Sequence, residues 1–376
     1  MRESDPIYLD YNATTPLLAE VVEAMLPYLR EHAGNPSSTH VFGQRARAAV
    51  ETARGQVAAL LGCEPDEIIF TSGGTEANNL AIRGVTEALG RPGILVTTTI
   101  EHPAVAVPCA WLERRLGWRV IRLEVDSEGR AVPAALSEPV DLITVMHSNN
   151  ETGALQPIGA AAAMAEAAGA LLHTDAAQSV GKVPIDVRAL RVDLLSIAGH
   201  KLYAPKGVGA LYVRRGTQIA PFTLGAGHER GLRPGTENVA SIVGLGAACA
   251  IARDTLEATS SRVRALRDRL WSLLSERVPG LKLNGPVEKR LPNTLNVRFP
   301  GVSGTALLDA TPEVAASTGS ACHQGHETAS GVLLAMGIPA AEAVGSVRLT
   351  LGRQTTDAEI TRASEALARS WARLAR

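Results

Sequence analysis

From about residue 65 to about residue 215, short apolar runs alternate with Ala-rich stretches of helical pattern, and this alternation restricts the fold more than any other feature of the chain. Runs at 67–70, 93–97, 119–123, 141–146, 170–174, 194–197 and 209–213 read as strands. Strands separated by helices pair in parallel, since the intervening crossover returns the chain to the same end of the sheet, and the helices cover its faces. An α/β domain around a mostly parallel sheet is therefore expected. Such sheets bind ligands at the carboxyl ends of their strands. The polar, glycine-rich segments 71–76, 147–153, 175–178 and 199–201 follow strands there and are expected to converge on one crevice.

Further along, a helical pattern rich in Arg, Leu and Glu runs from about Ala247 to Arg277. Strand-like segments at 294–299 and 346–351 and a helix from Asp357 then predict a smaller α+β domain joined by the long helix. With 376 residues, 45% of them apolar, the chain can bury two such cores. A formal net charge of -1 gives no attraction to nucleic acid or to an anionic membrane, so a small-molecule substrate is expected. The apolar runs read as shorter than a membrane span, and residues 1–6 lack the pattern of a signal peptide. Four scattered cysteines, Cys63, Cys109, Cys249 and Cys322, show no CxxC spacing and suit a reducing compartment. A cytoplasmic protein is expected.

The chain contains five lysines, at 182, 201, 206, 282 and 289. Lys201 follows the apolar run 192–197 and stands between Gly199 and Gly207, where an amine at a strand's mouth loses solvent, falls in pKa and can bond a carbonyl. Lys182 and Lys206 lie beside Gly or Pro in loops, and Lys282 and Lys289 flank a turn. Gly73, Gly74 and Thr75 open a helix after a strand, which suits a phosphate. Asp175 and Gln178 follow another strand; a carboxylate there can keep a pyridine nitrogen protonated, and Gln178 and Asn150 can donate to a ring hydroxyl. Taken singly, Asp175 also suits a helix N-cap and Asn150 a turn. His102, after a strand, can stack on a planar group and move protons, or be held by backbone groups. Cys322 sits among small, flexible residues, as an accessible thiolate needs; a metal site of Cys322, His323 and His326 is disfavoured because no fourth ligand is evident. Arg348, in a late strand, is a natural partner for an α-carboxylate, or for a surface acid.

In this order the motifs resemble the NifS-type (group I) cysteine desulfurases of the class V aminotransferase family, which have the aspartate-aminotransferase-like fold of pyridoxal-phosphate enzymes (fold type I). The resemblance rests on 8–16 and 34–38, on 70–76, Glu101-His102, 149–153, 173–178 and Gly199-His200-Lys201, and on 227–230, 233–236, 319–322 and 347–353. It implies a large domain over residues 16–250, and a small domain from 1–15 and 251–376 that carries the cysteine loop. It further implies pyridoxal 5'-phosphate bound to Lys201, with His102 stacked on its ring and relaying protons and Asp175 on its nitrogen. Gln178 and Asn150 hold its hydroxyl, and Gly74, Thr75 and His200 its phosphate. Thr236 reaches the phosphate of a partner subunit in a homodimer. Arg348, with Asn150, binds the substrate, and Cys322 takes its sulfur as a persulfide for an acceptor protein. That acceptor could serve iron–sulfur assembly, tRNA thiolation or a specialised sulfur pathway. Many desulfurases have a serine where this chain has Ala198, and the segment 323–330 departs from the usual loop. The Cys322-His323 pair also resembles selenocysteine lyase, so selenocysteine is the alternative substrate.

Overall fold

The computed structural model describes residues 5–136, 138–318 and 328–376. Among these, seven strands form the central sheet in the spatial order Ile68–Thr71, Gly209–Val213, Leu194–Ala198, Leu171–Asp175, Leu142–Thr144, Ile94–Thr98 and Arg119–Leu123. Pairing is parallel from Leu194–Ala198 outward to Arg119–Leu123, whereas Gly209–Val213 runs antiparallel to both its neighbours. The loop between Leu194–Ala198 and Gly209–Val213, which contains Lys201, therefore turns back across the carboxyl ends of the parallel strands. Several strands of this sheet are buried along their whole length, as continuous apolar runs covered on both faces require.

Within the apolar run 192–197 the strand begins at Leu194, as the pattern 194–197 predicts. Asp193 ahead of it is used differently: its carboxylate accepts from the Leu172 N–H at 2.7 Å and pairs with Arg214. The long helix runs over Val239–Arg277, eight residues longer at its start than its pattern predicts, with the Asn238 side chain accepting from the Ser241 N–H. Gly244 and Gly246 lower the helical signal there. Packing explains at least one of them: a Cβ on Gly246 would stand 2.6 Å from Ala53 Cα of the helix Val41–Leu61.

This one helix serves two cores. Ile242, Leu245, Ala248, Cys249 and Ala252 pack into the core on one face of the large sheet. Val263, Leu266, Leu270 and Leu274 pack into a second core with the antiparallel strands Thr294–Arg298 and Ser346–Thr350 and the helix Asp357–Leu374. Contrary to expectation, part of the helix is apolar and long enough by composition for a membrane span, with a mean hydropathy of 1.5 over its best window. The residues that make it so are those packed against the large core. Two-residue strands at Ile7–Tyr8, Val314–Ala315 and Lys282–Leu283 were too short to show a period in the sequence. The first two pair in parallel and tie the N-terminal segment to the small core before it crosses to the large sheet.

Candidate active site

A cavity of about 330 Å³ opens at the carboxyl ends of the central strands and is lined by Gly74, Thr75, His102, Asn150, Asp175, Gln178, His200, Lys201 and Arg348, among others. At one end lies the start of the helix Gly74–Leu89, which directs free N–H groups and the positive end of its dipole into the cavity. Gly73 precedes it with φ +152°, a conformation that favours glycine. Gly209 lets the adjacent strand come close: a Cβ there would stand 2.7 Å from Gly73 Cα. The turn is braced by Glu76, which accepts from the Ser72 N–H at 2.7 Å and from Arg233 Nε at 2.9 Å; these donors hold its carboxyl below the usual range despite partial burial. Behind the turn, the buried Glu229 pairs with Arg54 at 2.7 Å and accepts from the Phe70 N–H at 2.7 Å, fastening the 227–230 motif to the edge strand.

Asp175 ends its strand at the cavity wall, 7% exposed. One carboxylate oxygen accepts from Asn78 Nδ2 at 2.7 Å and the other from the Ala177 N–H at 2.9 Å. His102 caps the helix Pro103–Leu116, its Nδ1 accepting from the Ala104 N–H at 3.1 Å, so the neutral ring carries its hydrogen on Nε2. Burial lowers the His102 pKa, Asp175 opposes the shift and Lys201 adds to it. His200 is pushed down to about 4 by burial and by Lys201, Lys206 and Lys182.

Lys201 Nζ donates to the carbonyls of Asn12 at 2.5 Å and Ala13 at 2.7 Å. Burial, reinforced by Arg348, pulls its pKa down to about 8 against the opposing charges of Asp10 and Asp175. Arg348 is paired with Asp10 at 2.9 Å and donates to the Asn150 carbonyl at 3.1 Å, while its Nε is buried without a partner among the described residues. Thr236 is exposed in the 233–238 turn and does not line the cavity. Cys322, His323 and His326 lie outside the described residues. The described cysteines, Cys63, Cys109 and Cys249, are half-buried or buried, and burial pushes each thiol up to about 12. No cluster of metal-ligating side chains occurs among the described residues.

Asp10, Asn12, Asn78 and Lys182 belong to this site, although no motif assigned them a role. Asn78 was within reach of sequence reasoning, because it lies four residues after Gly74 and so on the same face of the helix. Asp10 and Asn12 sit inside the 8–16 motif, but nothing local shows what they meet.

The aminotransferase class-V family model matches residues 7–363. The chain belongs to this family. A cysteine desulfurase of Gluconacetobacter diazotrophicus is 48% identical over 95% of this chain and 91% of its own length. Among solved structures, a NifS-like protein superposes with a TM-score of 0.89 at 35% identity, covering 97% of this chain and 98% of that one. SspA in complex with cysteine gives 0.81 at 36% identity, covering 93% and 99%. The family's cofactor is pyridoxal phosphate, and the cavity fits it. A helix start suits the phosphate, a Cβ on Gly74 would intrude to 3.1 Å from the Ala198 methyl, and the buried carboxylate of Asp175 meets only neutral donors at hydrogen-bonding distance among the described residues, leaving its charge for a pyridinium.

Proposed function

We infer that the chain is a pyridoxal-phosphate-dependent cysteine desulfurase that converts L-cysteine to L-alanine and keeps the sulfur as a persulfide on Cys322 for an acceptor protein. One observation carries this reading: an amine, a carboxylate, an imidazole and a guanidinium, those of Lys201, Asp175, His102 and Arg348, line a single cavity. Pyridoxal phosphate, when bound, supplies an electron-withdrawing ring that acidifies the Cα–H of an attached amino acid. Gly74, Thr75 and His200 would hold its phosphate, Asp175 its ring nitrogen, and Gln178 and Asn150 its hydroxyl, with His102 against the ring.

Lys201 anchors the cofactor and then serves as a base, a role suited to an amine whose pKa lies about 8. His102 offers Nε2 as a second proton carrier, since Nδ1 is held by the Ala104 N–H. Arg348, already fixed by Asp10, receives the substrate carboxylate and orients Cα. Cys322 then bonds to the substrate sulfur as the Cβ–S bond breaks. The sum, a Cys322 thiol and cysteine giving a Cys322 persulfide and alanine, balances without an external oxidant.

The relatives' names favour cysteine over selenocysteine as substrate. The exposed Thr236, which is not among the lining of this chain's own cavity, supports a homodimer in which it completes the partner's phosphate site. A cytoplasmic setting accords with the thiol chemistry. The test is to incubate the protein with pyridoxal phosphate and L-cysteine and measure alanine and protein-bound persulfide. Cys322→Ser should keep the cofactor's visible band and lose both products. Parental alanine formation by that variant would overturn the role of Cys322, and activity confined to selenocysteine would overturn the substrate.

A further inference from the structure

Lys182 is a cation behind the cavity wall, in contact with the lining residues Gln178 and Asn12, to which the reaction above gives no role. It is half-buried, with its ammonium turned inward: Nζ donates to Gln178 Oε1 at 2.9 Å and to Asn12 Oδ1 at 3.2 Å. An ammonium can only donate, so each amide must turn its oxygen toward Lys182. The Gln178 NH2 group is thereby directed away, to the Asn12 carbonyl at 2.9 Å, which is the same oxygen that accepts from Lys201. Asn12, only 1% exposed, is fixed in the same way. Its Oδ1 also accepts from Asn293 at 3.0 Å, and its Nδ2 donates to Thr294 Oγ1 at 2.9 Å and to the Asn150 carbonyl at 3.2 Å. The cation thus fixes the oxygen side of two amides whose NH2 groups are held by the Asn12 and Asn150 carbonyls, one amide in the cavity wall and one that joins it to the small core.

We propose that Lys182 is a positioning residue for the cofactor: by occupying Gln178 Oε1 it obliges Gln178 to present its N–H donor, rather than its oxygen, to the ring hydroxyl of pyridoxal phosphate. This rests on the reading that Gln178 meets that hydroxyl. Without Lys182 only the Asn12 carbonyl still holds the amide's direction, and a half-turn would replace the N–H donor that Gln178 offers the ring hydroxyl with an acceptor. Burial lowers the Lys182 pKa well below that of a free lysine, and Lys201 and Arg348 lower it further. A neutral amine would still carry two N–H bonds for these two oxygens, but its lone pair would no longer exclude an amide donor, so the constraint is that of the ammonium.

The test is a double-mutant cycle on the full-length apoprotein reconstituted with pyridoxal phosphate, read by the cofactor's dissociation constant and by the wavelength of its visible band. Lys182→Met and Gln178→Ala should each weaken binding about tenfold and shift the band, and the double variant should be no weaker than Gln178→Ala. Lys182→Arg, which keeps obligate donors, should stay within about threefold of the parent. If Lys182→Met does not fold, Lys182→Ala carries the same cycle. Additive losses would show that Lys182 acts independently of Gln178 and would overturn the proposal, as would parental binding by the variant lacking Lys182. Parental binding by Gln178→Ala would instead bring down the reading of Gln178 itself, and the proposal with it.

Discussion

At the residue scale, the site is a set of polar groups whose properties are set by their immediate neighbours. Lys201 is the clearest case, since burial and Arg348 bring its amine to about 8, where an appreciable fraction is neutral near physiological pH. The rate at which apoprotein takes up pyridoxal phosphate should therefore rise with pH through about 8, rather than near the value of about 10.4 for a free lysine. Absorbance-monitored mixing over a pH series would show this, and a midpoint near 10 would mean that the amine is not desolvated. Arg348 behaves differently, because Asp10 and the Asn150 carbonyl hold it in place before any substrate arrives. Arg348→Ala should retain the cofactor and lose cysteine turnover by an amount equivalent to about 2–5 kcal/mol, as when a desolvated charge loses its partner. Steady-state kinetics with the parental KM and kcat would place carboxylate binding elsewhere.

At the scale of elements, function depends on how closely a strand and a helix start approach one another. The helix Gly74–Leu89 can aim its N–H groups into the cavity only because Gly209 has no side chain: a Cβ there would lie 2.5 Å from the Ile197 carbonyl oxygen as well as crowding Gly73. Gly209→Ala should cost about 1–3 kcal/mol of stability through overpacking and weaken cofactor binding by displacing the turn. Gly159→Ala is the control, since a Cβ at this helical glycine meets nothing within 4 Å; it should leave binding unchanged and be neutral or slightly stabilising. Denaturant melts and cofactor titrations of both variants separate the effects. Equal behaviour of the two would remove the argument from close approach.

At the scale of the whole molecule, two cores share one continuous helix, and the cavity lies where the N-terminal segment passes from the small core to the large sheet. Glu101, buried beneath this region, accepts from Thr98 Oγ1 and the Met146 N–H at 2.8 Å each, yet burial raises its carboxyl to about 8. A carboxyl raised on folding favours the native state while it is protonated there. Its contribution is complete below the unfolded value of about 4.3 and is lost as pH rises through about 8. Glu101→Gln has no such proton to lose. The stability of the variant relative to the parent, followed by denaturant midpoint, should therefore increase steadily from pH 5 to pH 8. A difference that does not change with pH would show that Glu101 is ionised in the folded protein.

The sequence by itself determined the features that depend on near neighbours. Alternating runs specified the sheet, glycines marked the turn before Gly74, and Lys201 was distinguished by the strand before it and the glycines around it. Such signals are legible because backbone preference and hydrophobic periodicity act over a few residues. Only the tertiary structure decided which groups face one another across long spans of chain. Asn78 meets Asp175 from 97 residues away, and Asp10 meets Arg348 from 338. Lys182, to all local appearance a loop lysine, is turned inward onto Gln178 and Asn12. The direction of a side chain in a loop is set by the packing of elements distant in sequence, and for the Asn12 hub that packing includes the small core at Asn293 and Thr294. No local pattern encodes the meeting of two cores.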